Sequence, residues 1–220
     1  ATAVSARAAV LPEVYTPQVS ELERERLTRR VLAWLEIEAR RTPFTVAESE
    51  TEHRLKIGPL TLLTRIDRID TLGDGGRLIL DYKTGRVKLQ SWLEERPDDP
   101  QLPLYAVGER KALAAVSYAC LRPGELGFVG LAARGGMPEG IGVYADKRSK
   151  PTEVPDWDSL LAYWEKNLTQ LAESYAAGDA RVDPKSAQTC EYCHLSALCR
   201  IHELRGAELE QAETEADDDE

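Results

Sequence analysis

Apolar and polar positions recur with two different periods along this chain, and the switches between them predict its elements. From Ser20 the run SELERERLTRRVLAWLEIEARR places Leu27, Val31, Trp34 and Leu35 at i, i+4, i+7 and i+8. Ser20 and Glu23 stand in capping-box spacing, so an amphipathic helix is predicted over 20–41, ending before Pro43. Three strand-like stretches follow at 44–50, 52–57 and 60–70, the last two joined through Gly58-Pro59. A GDGG turn at 73–76 leads into 77–83, whose Leu78-Ile79-Leu80 core reads as a buried central strand. A helix is predicted over 101–113, with Pro103 in its tolerant first turn. Strands are expected at 115–121 and 126–133, and a helix at 157–177 that stops at Gly178. The composite is an α/β fold: a mixed sheet between helices, with a small cysteine-anchored element at the C-terminal end.

The flanks read differently. Residues 1–19 hold two prolines and little periodicity, which predicts an extended lead-in; 20–182 form the core, 183–206 the cysteine element, and 207–220 an acidic, disordered tail. The chain opens ATAVSARAAV, without Met and without the apolar stretch of a signal peptide, and is expected to be part of a longer protein. No run approaches the roughly 18 apolar residues of a membrane span, so no membrane partner is expected. Formal charge is −10 over 220 residues, which at face value argues against a nucleic-acid partner. The tail alone carries eight acids and no base, and residues 1–206 hold 30 acids against 28 bases, a net of −2. The acidity belongs to the tail, and the objection to nucleic acid falls away.

Candidate chemistry concentrates between Glu50 and Tyr105. Asp67 ends the alternation of LLTRID and Asp81 ends LILD, so neighbouring strands each deliver a carboxylate. Lys83 lies two residues beyond Asp81 and shares its face of the strand. Two carboxylates and an amine converging on one point suit a hard divalent cation, Mg2+ or Mn2+. Such a cation polarises a phosphoryl oxygen and lowers the pKa of bound water, which is phosphodiester-hydrolysis chemistry. Taken alone, a D-x-K triplet is equally the pattern of a surface ion pair at a strand end. Gln101 and Tyr105 lie four apart on one face of the following helix.

In order, TRIDRID, LILDYKTG and QLPLY resemble the motifs of the PD-(D/E)XK nuclease superfamily, and within it the RecB-like nuclease domain of bacterial helicase-nucleases and DNA repair proteins. The resemblance covers 44–105 and extends to Cys199 through the cysteines. It implies a restriction-endonuclease-like core and a metal-dependent deoxyribonuclease, exonuclease or endonuclease, active in DNA repair and recombination. Asp67 and Asp81, with the backbone carbonyl of Tyr82, would hold the metal; Lys83 would be the catalytic lysine, supported by Gln101 and Tyr105. DNA is the implied substrate, a helicase-like domain or subunit the implied partner, and the bacterial cytoplasm, at the nucleoid, the implied location. Glu50 is a weaker candidate; Arg65, Arg68 and Asp70 share the motif string and read first as surface or structural ion pairs, Arg68 being the one of the three best suited to touch phosphate. Lys147, Arg148 and Lys150 form a basic loop that is a candidate phosphate contact or simply a solvated loop.

Cys190, Cys193 and Cys199 follow C-x2-C-x5-C, which resembles the iron-sulfur staple of the same subgroup. A [4Fe–4S] cluster takes four thiolates, so the fourth would come from outside this chain, because Cys120 sits in an apolar strand as a small hydrophobe. Zinc is the alternative, with His194 or His202 completing a Cys3His set. The helix at 20–41 also lacks the His that the family places ahead of its core, His53 reads as an ordinary strand residue, and Thr64 stands where the family often has Gly. The alternative function is therefore a catalytically incomplete DNA-binding or scaffolding module of a repair complex.

Overall fold

A computed structural model describes residues 2–191, 193–201 and 203. The chain divides into two compact units, residues 1–173 and the remainder from Ser174. No described helix is long and apolar enough to cross a membrane.

The first unit is a six-stranded sheet whose order in space is its order in sequence, β1 to β6. β1 (Phe44–Ile57) and β2 (Leu60–Leu72) form a long antiparallel hairpin, and β3 (Arg77–Lys83) pairs antiparallel to β2. β4 (Leu113–Cys120) runs parallel to β3, β5 (Gly127–Ala132) antiparallel to β4, and the short β6 (Ile141–Val143) parallel to β5. The expected mixed α/β sheet flanked by helices is present. Its centre is dry: every residue of β4 is buried, and Leu78, Ile79 and Leu80 are fully enclosed.

Where 44–50 and 52–57 read as separate strands, β1 is continuous. The interruption is real but local, a register shift between Val46 and Glu48 and a positive φ of 52° at Glu50. The hairpin turns at Gly58, whose φ of +50° suits glycine and whose hydrogen faces Thr169.

The lead-in is not extended. Residues Thr2–Val10 form α1, and α2 spans Pro17–Glu38 rather than starting at Ser20. Thr16 and Pro17 set that start: the Thr16 hydroxyl accepts from Val19 N–H, and proline occupies the first turn, where its missing N–H costs nothing. Of the apolar stripe on α2, Trp34 is buried, edge-on to Tyr82 and Phe128, while Val31 and Leu35 stay exposed. α3 (Gln101–Gly108) closes five residues earlier than the pattern suggests. Gly108 packs directly on Leu55, where an added Cβ would lie 2.3 Å from Cδ2, and Ala112 turns back with a positive φ.

α4 (Trp157–Ala176) matches the predicted helix, and Gly178 follows with a φ of +74°. The two faces of the sheet have different covers. One holds Ile69, Ile79, Val116 and Tyr118 against α3, α4 and a 3₁₀ segment over Leu89–Leu93. The other holds Leu78, Leu80, Ala115 and Ala119 against Trp34 of α2 and Phe128. On the first face Trp92, Trp157 and Trp164 pack edge to face, and Trp164 Nε1 donates to the Trp92 carbonyl at 2.7 Å. Short helices α5 (Ala187–Glu191) and α6 (Ser196–Cys199) belong to the second unit.

Trp164 is the keystone of that aromatic cluster. Trp164→Ala is expected to destabilise the chain by about 3–5 kcal/mol through cavity formation and the lost hydrogen bond, read as a lower urea midpoint with an unchanged m-value.

Candidate active site

The β2–β3 ladder sets Ile69 opposite Ile79 and Arg68 opposite Leu80. The next residues along the two strands are Asp67 and Asp81, so backbone pairing delivers both carboxylates to the same end of the ladder. Asp67 Oδ2 accepts from the Tyr82 N–H at 2.8 Å, which fixes the half-buried acid against the neighbouring strand. Alternation along β3 puts Asp81 and Lys83 on the face of Ile79, and Tyr82 on the opposite face with Leu80.

Lys83 is held by three elements. Its ammonium lies 2.9 Å from Asp81 Oδ2 on its own strand and donates to Gln101 Oε1 at 2.8 Å on α3. Gln101 Nε2 then donates to the Tyr105 hydroxyl at 3.1 Å, and Tyr105 donates to the Arg65 carbonyl of β2 at 2.9 Å. This chain of hydrogen bonds runs from β3 through one turn of α3 to β2. The sequence-derived set of Asp67, Asp81, Lys83, Gln101 and Tyr105 is thus one cluster.

Its electrostatics follow from depth. Burial raises the Asp81 carboxyl above the usual aspartate value of 3.8; Lys83 opposes the shift, and the like charges of Asp67 and Asp99 add to it. Burial alone would lower the Lys83 pKa, but the close ion pair with Asp81 and the charges of Asp99 and Asp67 outweigh it, so the ammonium is held more firmly than usual. Burial also raises Tyr105, with Asp81 and Asp67 contributing. Although Asp81 Oδ2 lies 2.9 Å from Lys83 Nζ, no donor is aligned on it. The contact is an ion pair, and a buried oxygen retains an unused lone pair.

That oxygen tests the fit of a metal. Two converging carboxylates, one with an unmet buried oxygen, suit a hard divalent cation, which is commonly bound through one or two carboxylates with waters and substrate phosphates completing its shell. Among the described residues no group of three or more His, Cys, Asp or Glu side chains is placed to hold a metal.

A model of the PD-(D/E)XK nuclease superfamily matches residues 1–200. The chain belongs to that superfamily. Nuclease activity, a nucleic-acid substrate and use of Mg2+ or Mn2+ are general properties of its members. No curated protein matches the chain. Among solved structures, the crystal structure of SSO0001 is similar over 89% of this chain and 79% of its own, at 14% identity and a TM-score of 0.39.

Other sequence candidates fall elsewhere in this nuclease fold. Arg68 does not face the acid pair. Alternation turns it to the α2 face, where it bonds Asp70 (2.6 Å), Glu38 (3.1 Å) and the Tyr82 hydroxyl (3.0 Å). Arg41 joins the same buried network through Glu38 and Asp70, both at 2.7 Å, so Arg68 and Asp70 are structural. Glu50, between the Ser49–Arg68 and Thr51–Ile66 pairs of the β1–β2 ladder and so across from Asp67, has a positive φ and pairs with Arg65 at 2.8 Å on the exposed part of the hairpin. His53 sits between Glu48 (2.8 Å) and Glu109 (2.9 Å), and Arg77 bridges the same two acids at 2.6 Å. This four-residue knot ties β1, β3 and the end of α3.

In the basic loop, Lys150 is turned inward onto the Ala145 carbonyl and the Tyr144 ring, and Ser149 meets Gln90. Cys120 is buried in β4, and burial raises its thiol pKa. Cys190, Cys193 and Cys199 are free and, as placed, do not converge on a metal; His202 and residues 204–220 lie outside the described residues.

Three functional neighbours escaped sequence reading. Asp99 lies 3.8 Å from Lys83 and accepts from the Tyr118 hydroxyl at 2.8 Å, and Tyr118 accepts from Trp92 Nε1 at 3.0 Å. The available signal was an acidic residue two positions ahead of Gln101 in RPDDPQ.

Binding of Mn2+ or Mg2+ to the acid pair is expected to raise the melting temperature, and Asp81→Asn to remove that rise. A proton on Asp81 excludes the cation. Because the Asp81 pKa is raised, the cation-dependent rise should weaken as pH falls, beginning above the range where an ordinary aspartate titrates. Thermal melts at stepped pH, with and without cation, check this.

Proposed function

We propose that the chain is a divalent-cation-dependent DNA nuclease module of the RecB-like kind. The supporting observation is the single hydrogen-bonded cluster in which Asp67 and Asp81 meet at one ladder end while Gln101 holds Lys83 beside them. Asp81-Tyr82-Lys83 stands as the (D/E)-X-K of the superfamily, and Asp67 as its preceding acid. Asp67, Asp81 and the Tyr82 carbonyl would hold the cation, which when bound supplies a polarised phosphoryl oxygen and a water of lowered pKa.

The chain's own residues do the rest. The Lys83 ammonium, kept charged by its acidic neighbours, orients the attacking water and offsets negative charge growing on the phosphate. Gln101 fixes Lys83, and Tyr105 carries the constraint back to β2. The enclosed Ile69 and Ile79 beneath the acids limit water to the open side.

The motif string TRIDRID, LILDYKTG and QLPLY supports the RecB-like assignment and, with it, a role in DNA repair and recombination in the bacterial cytoplasm beside a helicase-like domain or subunit. The C-x2-C-x5-C spacing would suit an iron-sulfur staple, with a fourth ligand supplied by another segment.

The test is degradation of linear single- and double-stranded DNA with and without Mg2+. Asp81→Ala and Lys83→Ala are each expected to lower the rate by on the order of 10²–10³-fold. Undiminished cleavage in both variants rejects the assignment. DNA binding without cleavage in Mg2+ and Mn2+ selects the scaffolding alternative.

A further inference from the structure

Lys83 faces a conflict built into the site. Its closest charged partner, Asp81 at 2.9 Å, is also the acid that a cation would take, and an ammonium that loses its carboxylate at that moment is free to swing away. Gln101 alone offers it a neutral acceptor.

Asp99 stands where it resolves this conflict, and it is aimed. Its Oδ1 accepts from the Gln101 N–H at 3.4 Å, and its Oδ2 accepts from the Tyr118 hydroxyl at 2.8 Å while facing Lys83 Nζ at 3.8 Å. Tyr118 cannot turn the other way. Indole Nε1 only donates, so the Tyr118 oxygen must accept from Trp92 and its single proton is left for Asp99. Trp92 is enclosed, and its carbonyl accepts from Trp164 Nε1 at 2.7 Å. The orientation of Asp99 therefore runs back through two aromatic residues to α4.

We propose that Asp99 is a positioning residue: its carboxylate, aimed by Tyr118, holds the Lys83 ammonium beside Gln101 when Asp81 is given up to a cation. The kinetic consequence rests on the nuclease reading; the positioning does not.

The experiment uses the full chain labelled with 15N-lysine, with the Lys83 ammonium signal assigned by its loss in Lys83→Arg. In the wild type the signal persists through a Mg2+ titration. In Asp99→Asn, which keeps an acceptor for Tyr118 but removes the charge, it is expected to broaden away as Mg2+ is added. Tyr118→Phe gives a partial loss, and the double variant is no worse than Asp99→Asn. In DNA cleavage, kcat of Asp99→Asn falls on the order of 10- to 100-fold, with KM for DNA unchanged.

A Lys83 signal in Asp99→Asn that tracks the wild type through the titration overturns the proposal. So does a raised KM at unchanged kcat, which makes Asp99 a substrate contact, or a lowered melting temperature with an unaltered Lys83 signal, which makes it merely structural. A wild type that cleaves no DNA refutes the nuclease reading, while the lysine signal still decides the role of Asp99.

Discussion

Burying Asp81 in the middle of the sheet is the constraint from which the rest of the site follows. A carboxylate only 2% exposed is costly unless paired and hydrogen-bonded. Lys83 pairs it from two residues along the same strand, which needs nothing beyond the pleat. But a lysine side chain has four rotatable carbons, so its head must be held by something rigid. That role falls to Gln101, and Gln101 is where α3 begins. The parallel pairing of β3 with β4 demands a crossover, α3 lies on it, and its first turn is thereby delivered to the end of β3. The site is a by-product of a connection the sheet requires.

The same pleat separates two kinds of charge. Asp67, Asp81 and Lys83 emerge on one face, while Arg68 and Asp70, interleaved with them in sequence, emerge on the other and join Arg41 and Glu38. That second group is balanced, two cations against two acids, with Arg41 stacked 3.8 Å from the Phe44 ring centroid. Buried ion pairs add little net stability compared with apolar residues of the same volume, but losing one partner costs about 3–5 kcal/mol. Their value here is geometric: they fix the end of α2 against β1 and β2, and so hold β2 in the register that brings Asp67 opposite Asp81.

Much of this was legible in the sequence because it depends on short-range periodicity. A period of two places Asp81 with Lys83, and a period near four places Gln101 with Tyr105; their convergence needs only that the strands be neighbours. Arg68 reads in the sequence as a structural ion pair or a phosphate contact, and the same alternation, applied from Asp67, turns it toward the first of these. Asp99, Tyr118 and Trp92 were out of reach for a different reason. β4 is buried on both faces and carries no alternation, so nothing in AVSYACL distinguishes a tyrosine that aims a carboxylate from one that fills space. The start of α2 failed because two capping signals compete, and Thr16-Pro17 acts before Ser20 can. Val31 and Leu35 fit the helical stripe yet remain uncovered among the described residues, since periodicity states which face is apolar and not what meets it.

Net charge, the first objection to a nucleic-acid partner, turns out to act on the wrong length scale. At 0.15 M salt the Debye length is about 8 Å, so a phosphate entering the site responds chiefly to the charged groups around Asp81 rather than to the net charge of the chain. Those groups are Asp67, Asp81 and Asp99 against Lys83, a local formal charge of −2 when all are ionised. A polyanion would be repelled by that cluster, and one divalent cation cancels it. The acidity that argues against DNA at the level of composition lies in the tail, whereas the separate local charge of the site is what would make a metal a condition for the substrate's approach.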